Sequence, residues 1–295
     1  LHAARGERAE ARAAYARALE LDAGFTPARL NLARLEVSEG RFDSARQTYS
    51  DMLKKDRRDA VAMYELALLE ERAGKAAEAV RWYEKAALEE PGDLRIGLAL
   101  VEVKRAQRDL PGALEAAKAL AARQSGDLRV LDALARIQTE AGEAKAAQQT
   151  LREMTRIAEF EADAQIRIGY LQLSAGNPAG ARYSAEKALG GRPGDLRAMA
   201  LGAEAALAEG DLQAAGKLAS ALARIAPDSA LAHALAGDVA LAAGQHRVAA
   251  QAYQAALRIE PTGGVVLGLV RALLQDDRPA ARKVLEDRSE EHTSE

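Results

Sequence analysis

Apolar residues recur along this chain at helical spacing, and short breaks that contain glycine interrupt them at regular intervals. Leu32, Ala33 and Leu35 lie at such a spacing, as do the apolar residues within 168–171, so each group would form one buried face of a helix. A glycine follows the first group within a few residues, at Gly40. The pattern therefore predicts pairs of short helices joined by tight turns.

The breaks fall on a lattice of 34 residues, which is the strongest regularity in the chain. The lattice points are Gly6, Gly40, Gly74, Arg108, Gly142, Gly176, Gly210 and Gly244. Five residues after each point stands an alanine: Ala11, Ala45, Ala79, Ala113, Ala147, Ala181, Ala215 and Ala249. Glycine readily takes the left-handed backbone conformation that ends a helix, and alanine lets two helices approach closely. The lattice thus predicts one helix–turn–helix unit, repeated.

Two further features complete this unit. The residue nine positions after the lattice point is bulky at Tyr15, Tyr49, Tyr83, Leu151 and Tyr253, and a proline that ends the second helix stands at Pro91, Pro193, Pro227 and Pro261. Together these features resemble the tetratricopeptide repeat (TPR), a helical hairpin of 34 residues. The resemblance implies an all-α fold, an α-solenoid in which the hairpins stack into a right-handed superhelix, and we expect it to be monomeric.

The family's frame divides the chain into repeats. Complete repeats would run 26–59, 60–93, 94–127, 128–161, 162–195, 196–229 and 230–263, with a half repeat at 1–25 and a partial repeat at 264–287. We expect one array over 1–287, because stacked hairpins share a continuous core. Residues 288–295 match the translation of a common sequencing adapter, so we expect them to be an artefact that contributes nothing to the fold.

Repeat 94–127 departs furthest from the pattern. Arg108 occupies the turn where glycine is usual, Gly97 lies inside the first helix, and Pro111 opens the second helix, where proline is tolerated. A glycine in a helix costs about 0.5–1 kcal/mol relative to alanine. This repeat is therefore predicted to be the weakest of the array.

Composition supports the helical interpretation and excludes several function classes. Alanine dominates while the chain has only 3 Phe and 1 Trp, so a β-sandwich or barrel is disfavoured. Lys and Arg number 41 against 44 Asp and Glu, a net charge of −3, which provides no general field for nucleic acid. Zero cysteines exclude disulfides and thiolate sites. The most apolar stretch, 230–244, is too short and too polar for a membrane span.

No arrangement of residues suggests catalysis, a metal or a cofactor. His233 replaces a packing residue, and His2 and His246 have no acidic or cysteine partner at metal-ligand spacing. Ser184, Ser220 and Ser229 lack a histidine and an acid in any triad-like pattern. We therefore expect a protein that is not an enzyme and binds neither metal nor cofactor.

The resemblance implies a concave groove lined by the first helix of each repeat. The polar and aromatic candidates for binding a partner there are Asn31, Arg34, Tyr64, Arg95, Glu102, Arg129, Asp132, Arg136, Tyr170, Glu204 and Asp238. Chaperone-binding members of the family hold a C-terminal carboxylate with Lys and Asn at the fifth and ninth positions, and those pairs are not Lys and Asn here. A cochaperone role is therefore disfavoured.

The predicted function is a scaffold whose groove binds a peptide or a partner protein. Segments 26–33 and 128–134 are similar in style to the long TPR-repeat lipoprotein of bacterial exosortase (PEP-CTERM) systems. That similarity implies a periplasmic or lipid-anchored scaffold in surface export; without it we expect a cytoplasmic protein. The alternative is the substrate-recognition arm of a TPR glycosyltransferase or sulfotransferase whose catalytic domain lies outside this sequence.

Overall fold

The computed structural model describes residues 7–293, and this part of the chain contains seventeen α-helices and no strand. The lattice point Gly6 and the histidine at position 2 lie outside the described residues, as do Ser294 and Glu295. The prediction of an all-α solenoid of helical hairpins is confirmed.

First and second helices alternate along the chain. The first helices are α2 (Thr26–Ser38), α4 (Ala60–Arg72), α6 (Leu94–Ala106), α8 (Leu128–Glu140), α10 (Ala162–Ser174), α12 (Leu196–Glu209), α14 (Ala230–Ala242) and α16 (Gly263–Asp276). The second helices are α1 (Arg8–Leu21), α3 (Phe42–Lys55), α5 (Ala76–Glu89), α7 (Leu110–Arg123), α9 (Ala144–Ala158), α11 (Pro178–Gly191), α13 (Leu212–Ile225), α15 (His246–Ile259) and α17 (Arg278–Thr293).

The helices form two compact units that divide after Glu143. The N-terminal unit contains α1 to α8, and the C-terminal unit contains α9 to α17. Within each unit every helix packs on its neighbours in the chain, and first helices also contact the next first helix, as α2 contacts α4 and α12 contacts α14. The first helices of a unit therefore lie side by side and present one common face.

The lattice residues perform the roles that their chemistry predicts. The six lattice glycines from Gly40 to Gly244 all have positive φ, between 69° and 79°. The alanine five residues after each described lattice point is completely buried from Ala45 to Ala249. Tyr49, Tyr83 and Tyr253 are also buried, which confirms them as packing residues. Left-handed turns and close helix contacts thus recur with the sequence period.

Arg108 takes the glycine conformation, with φ 61°. The turn around it is regular: Arg108 N–H donates to Arg105 O at 2.9 Å, and the Asp109 carboxylate accepts from Gly112 N at 3.0 Å. Gly97, in contrast, has a packing role that the sequence did not indicate, since a Cβ there would lie 2.6 Å from a methyl of buried Leu120. The strain in this repeat is therefore concentrated at the turn.

Arg108→Gly is expected to stabilise the protein by up to about 1 kcal/mol. A left-handed residue with a side chain is strained by about 1–2 kcal/mol, which exceeds the roughly 0.4–1 kcal/mol that glycine adds to the entropy of the unfolded chain. Urea unfolding followed by circular dichroism measures the difference. The reverse change, Gly74→Arg, should destabilise by a similar amount, because no atom lies within 4 Å of the new Cβ and only the backbone is affected. A loss of stability in Arg108→Gly would show that the arginine side chain supports the turn.

Candidate functional site

The predicted groove residues all lie on first helices. In the N-terminal unit they are Asn31 and Arg34 on α2, Tyr64 on α4, Arg95 and Glu102 on α6, and Arg129, Asp132 and Arg136 on α8; in the C-terminal unit they are Tyr170 on α10, Glu204 on α12 and Asp238 on α14. Because first helices lie side by side within a unit, some of these residues contact residues of the next first helix.

Arg34 is held by a buried carboxylate on the next first helix. Its Nε donates to Glu65 Oε1 at 2.8 Å, and its Nη1 lies 3.4 Å from Asn31 Oδ1. Glu65 also accepts from the hydroxyl of Tyr49 at 3.4 Å. The hydrogen bond to Glu65 raises the pKa of Arg34, although burial acts in the opposite direction. Sequence reasoning missed Glu65 because it lies one position past Tyr64, outside the groove positions of the repeat.

Tyr64 and Arg95 form a cation–π contact on neighbouring first helices, with the guanidinium carbon 5.6 Å from the ring centroid. Arg95 also pairs with Asp93 at 2.8 Å, and Arg129 pairs with Asp127 at 2.7 Å. These two aspartates cap their helices, and the arginine hydrogen bonds lower the pKa of both. Arg95 and Arg129 therefore stand at helix starts, already bonded to capping carboxylates.

Asp132 is a correction to the predicted set, because it is buried rather than presented to a ligand. Only 5% of it is exposed, and Arg136, one turn further along α8, donates to its Oδ2 at 2.6 Å. Glu102 is exposed and pairs with Arg105 at 2.9 Å, while Arg105 reaches Glu140 on α8 at 3.4 Å. In this part of the N-terminal unit the charges largely satisfy one another.

The C-terminal unit presents a row of one tyrosine and two carboxylates on three successive first helices. The Tyr170 hydroxyl lies 3.4 Å from Glu204 Oε1, and Asp238 accepts from the Tyr253 hydroxyl at 2.6 Å. Both carboxylates are half-buried, and burial raises the pKa of each. Burial likewise raises the pKa of Tyr170 to about 12. We call Tyr170, Glu204 and Asp238 the acidic row.

Arg271 on α16 is a neighbour of this row that sequence reasoning missed. Its positive charge lowers the pKa of Asp238, opposing the effect of burial. The repeat frame predicted that the partial repeat starts at Gly264, whereas the helix α16 begins at Gly263. Counted from the observed start of α16, Arg271 is the ninth residue of its helix, as Glu204 and Asp238 are of theirs. The predicted repeat started one residue later, so Arg271 did not fall on a groove position.

Glu204→Gln is expected to make the protein slightly more stable at pH 7.5 and to lose this advantage near pH 4. Burial penalises the charged carboxylate in the folded state, so the penalty is present above the raised folded pKa and vanishes below the ordinary value of about 4.3. The amide oxygen can still accept from Tyr170. Thermal melts of parent and variant at both pH values measure the difference.

Glu153→Gln, on an exposed face of α9, is the matched control and should follow the parent at both pH values. A Glu204→Gln variant that is less stable than the parent at pH 7.5 would contradict the assigned effect of burial.

The described residues contain no group of three or more His, Asp or Glu side chains placed to hold a metal ion. None of the helices in this part of the chain combines the length and the apolar character that a bilayer crossing requires.

The chain matches models of the tetratricopeptide repeat at residues 2–69 and 166–230. The chain carries tetratricopeptide repeats. Its structure is similar to the C-terminal part of a TPR repeat-containing protein from Cytophaga hutchinsonii, with a TM-score of 0.58 and 13% identity over 81% of this chain and 99% of that chain. It is also similar to a TPR protein from Parabacteroides merdae, with a TM-score of 0.54 and 16% identity over 83% and 97% of the two chains.

No curated protein matches the sequence. The two structural similarities, at these identities, concern the fold. As a TPR array the protein is a protein-interaction scaffold, and the first-helix faces are its candidate binding surfaces.

Proposed function

We propose that this TPR protein binds an extended peptide or partner segment along its first-helix faces, without catalysis, and that the acidic row of the C-terminal unit receives a basic residue of that ligand. The acidic row is the observation that carries the proposal. Glu204 and Asp238 lose solvation by half-burial, and the described hydrogen-bond partners of both are tyrosine hydroxyls. The positive charge of Arg271 already acts on Asp238, so a lysine or arginine of a ligand would supply the counter-charge of Glu204, whose described hydrogen-bond partner is the Tyr170 hydroxyl.

The neighbouring aromatic group fits the same ligand. Tyr170 is 41% exposed beside Glu204 and offers a flat apolar surface for the stem of a long basic side chain. An extended peptide also suits a face built from parallel first helices, because successive helices present equivalent positions at regular intervals. The proposed setting in an exosortase-type surface-export system rests on the similar style of the repeats.

Selection from a random peptide library displayed on phage tests the proposal. Enriched peptides are synthesised and titrated by calorimetry against the parent, Tyr170→Ala and Glu204→Lys. We expect the peptides to contain Lys or Arg, and Glu204→Lys to weaken binding by about tenfold or more, since an attraction becomes a repulsion.

The control is Glu186→Lys, an equal change of charge on the exposed face of the second helix α11, which should alter affinity less than about twofold. Selected peptides without basic residues, or equal losses in Glu204→Lys and Glu186→Lys, would overturn the proposal.

A further inference from the structure

A cleft of about 850 Å³ opens on the second-helix side of the C-terminal unit. It lies between α9 and α11, with residues of α10 and the α10–α11 turn at its base, and therefore does not include the acidic row. Its lining comprises Arg152, Thr155, Arg156, Glu159, Phe160, Gln172, Asn177, Ala179, Gly180, Tyr183 and Lys187.

One wall of the cleft depends on two departures from the repeat pattern that fit each other. Phe160 is the aromatic residue of the α9–α10 connection, and Gly190 and Gly191 end α11 where the preceding second helices carry side chains. A Cβ at Gly191 would lie 1.8 Å from the carbonyl oxygen of Phe160, and one at Gly190 would lie 3.1 Å from its ring. The glycine pair thus allows the Phe160 segment to lie directly on the end of α11.

The end of α9 is shaped to place Phe160 there. α9 has 15 residues, whereas α7 and α11 have 14, and Glu159 then takes φ 46°. Completely buried Gln165 donates from Nε2 to the carbonyl oxygens of Thr155 at 2.8 Å and Glu159 at 2.7 Å. These bonds satisfy carbonyls that a helix end leaves free and hold the connection in position.

The base of the cleft is a fixed polar surface. Gln172, only 2% exposed, accepts from Asn177 Nδ2 at 2.6 Å, and Asn177 Oδ1 accepts from Gly180 N at 3.1 Å. A Cβ at Gly180 would lie 2.5 Å from both amide groups, so glycine keeps this part of the cleft open.

The rim combines positive charge with exposed aromatic rings. Arg152 and Arg156 are exposed one turn apart on α9, and Lys187 Nζ lies 4.3 Å from the Phe160 ring centroid and 5.6 Å from that of Tyr183. Phe160 is 56% exposed and Tyr183 is 52% exposed. None of the three cations forms an ion pair with a residue in the described range, and Glu159 is the one acid among the lining residues.

We propose that this cleft is a second peptide-binding site, which receives an acidic segment: carboxylates against Arg152 and Arg156, and an apolar side chain against Phe160 and Tyr183. Complementary charge selects the acid, since a carboxylate can accept two parallel hydrogen bonds from an arginine. A peptide fits better than nucleic acid, because only three basic side chains line this cleft and the whole chain has a net charge of −3. The site is independent of the function proposed for the acidic row.

Fluorescence anisotropy with two labelled peptides tests this site in the whole chain. One nine-residue peptide carries Asp and Glu around a single Phe, and its counterpart has every acid replaced by Asn or Gln. We expect the acidic peptide to bind at least about tenfold more tightly than the amide peptide, and the double variant Arg152→Glu/Arg156→Glu to lose about tenfold in affinity. Both substitutions are at exposed positions, and circular dichroism checks that the fold is unchanged.

The control is Arg224→Glu/Arg258→Glu, which makes the same change of charge. Both residues are exposed and occupy the repeat position of Arg156, two and three repeats further along the chain. Affinity within about twofold of the parent supports the site. Three outcomes would overturn the proposed site. The first is an equal loss of affinity in both double variants, and the second is equal binding of the two peptides. The third is displacement of the labelled acidic peptide by a short oligothymidylate at a lower concentration than by unlabelled acidic peptide. Glu204→Lys should leave this binding unchanged, which separates the two surfaces.

Discussion

Replacing Tyr253 with alanine is expected to destabilise the C-terminal unit by about 3–5 kcal/mol, the usual cost of removing a buried aromatic ring. The residue is 2% exposed, and two glycines make room for its ring. A Cβ at Gly237 of α14 would lie 2.9 Å from the ring, and one at Gly268 of α16 would lie 2.4 Å from it. The ring therefore fills the space between two first helices, and the surrounding backbone cannot easily close the cavity. Removing its hydroxyl also deprives half-buried Asp238 of its 2.6 Å hydrogen bond.

Urea unfolding followed at 222 nm measures this loss, and Tyr253→Phe separates its two parts. The phenylalanine keeps the ring and removes only the donor to Asp238, so about 1–3 kcal/mol should be lost. Tyr183→Ala provides the control for an exposed tyrosine in the same unit, with an expected change within about 0.5 kcal/mol. A cost below about 1 kcal/mol for Tyr253→Ala would mean that the helices close over the cavity.

Gly191→Ala is expected to destabilise the C-terminal unit by about 1–3 kcal/mol, although alanine is the better helix former. The new Cβ would lie 1.8 Å from a backbone oxygen, which cannot move aside as a side chain does, so the Phe160 segment must leave the end of α11. Thermal unfolding measures the destabilisation.

Gly216→Ala is the matched control within α13. Its new Cβ would have ordinary contact only, 3.9 Å from Val239, so the substitution should stabilise by about 0.5–1 kcal/mol. Opposite signs at the two positions would confirm that Gly191 serves a close backbone approach. Stabilisation by both substitutions would contradict it.

The repeat frame predicted which helix positions form the candidate site, but it did not predict every side chain's surroundings. The period placed Tyr170 and Glu204 at equivalent positions, and the structure brings them within 3.4 Å on neighbouring helices. The same reasoning proposed Asp132, whose side chain is instead buried beneath Arg136. Position on a helix follows from counting residues, whereas the rotamer and partner of a charged side chain depend on every nearby group. Whether these surfaces bind a ligand stays a prediction.

The sequence by itself determined the helical hairpin, its period and the buried alanines that follow the turns. A left-handed turn favours glycine and a close helix contact requires a small residue, so the lattice from Gly40 to Ala249 states these local requirements directly. Only the tertiary structure shows the cleft on the second-helix side. Phe160 and Gly191, which form one of its walls, are 31 residues apart and occupy positions for which the repeat pattern predicts no particular residue. Their fit arises only when adjacent hairpins pack, because complementarity between two surfaces belongs to neither local sequence.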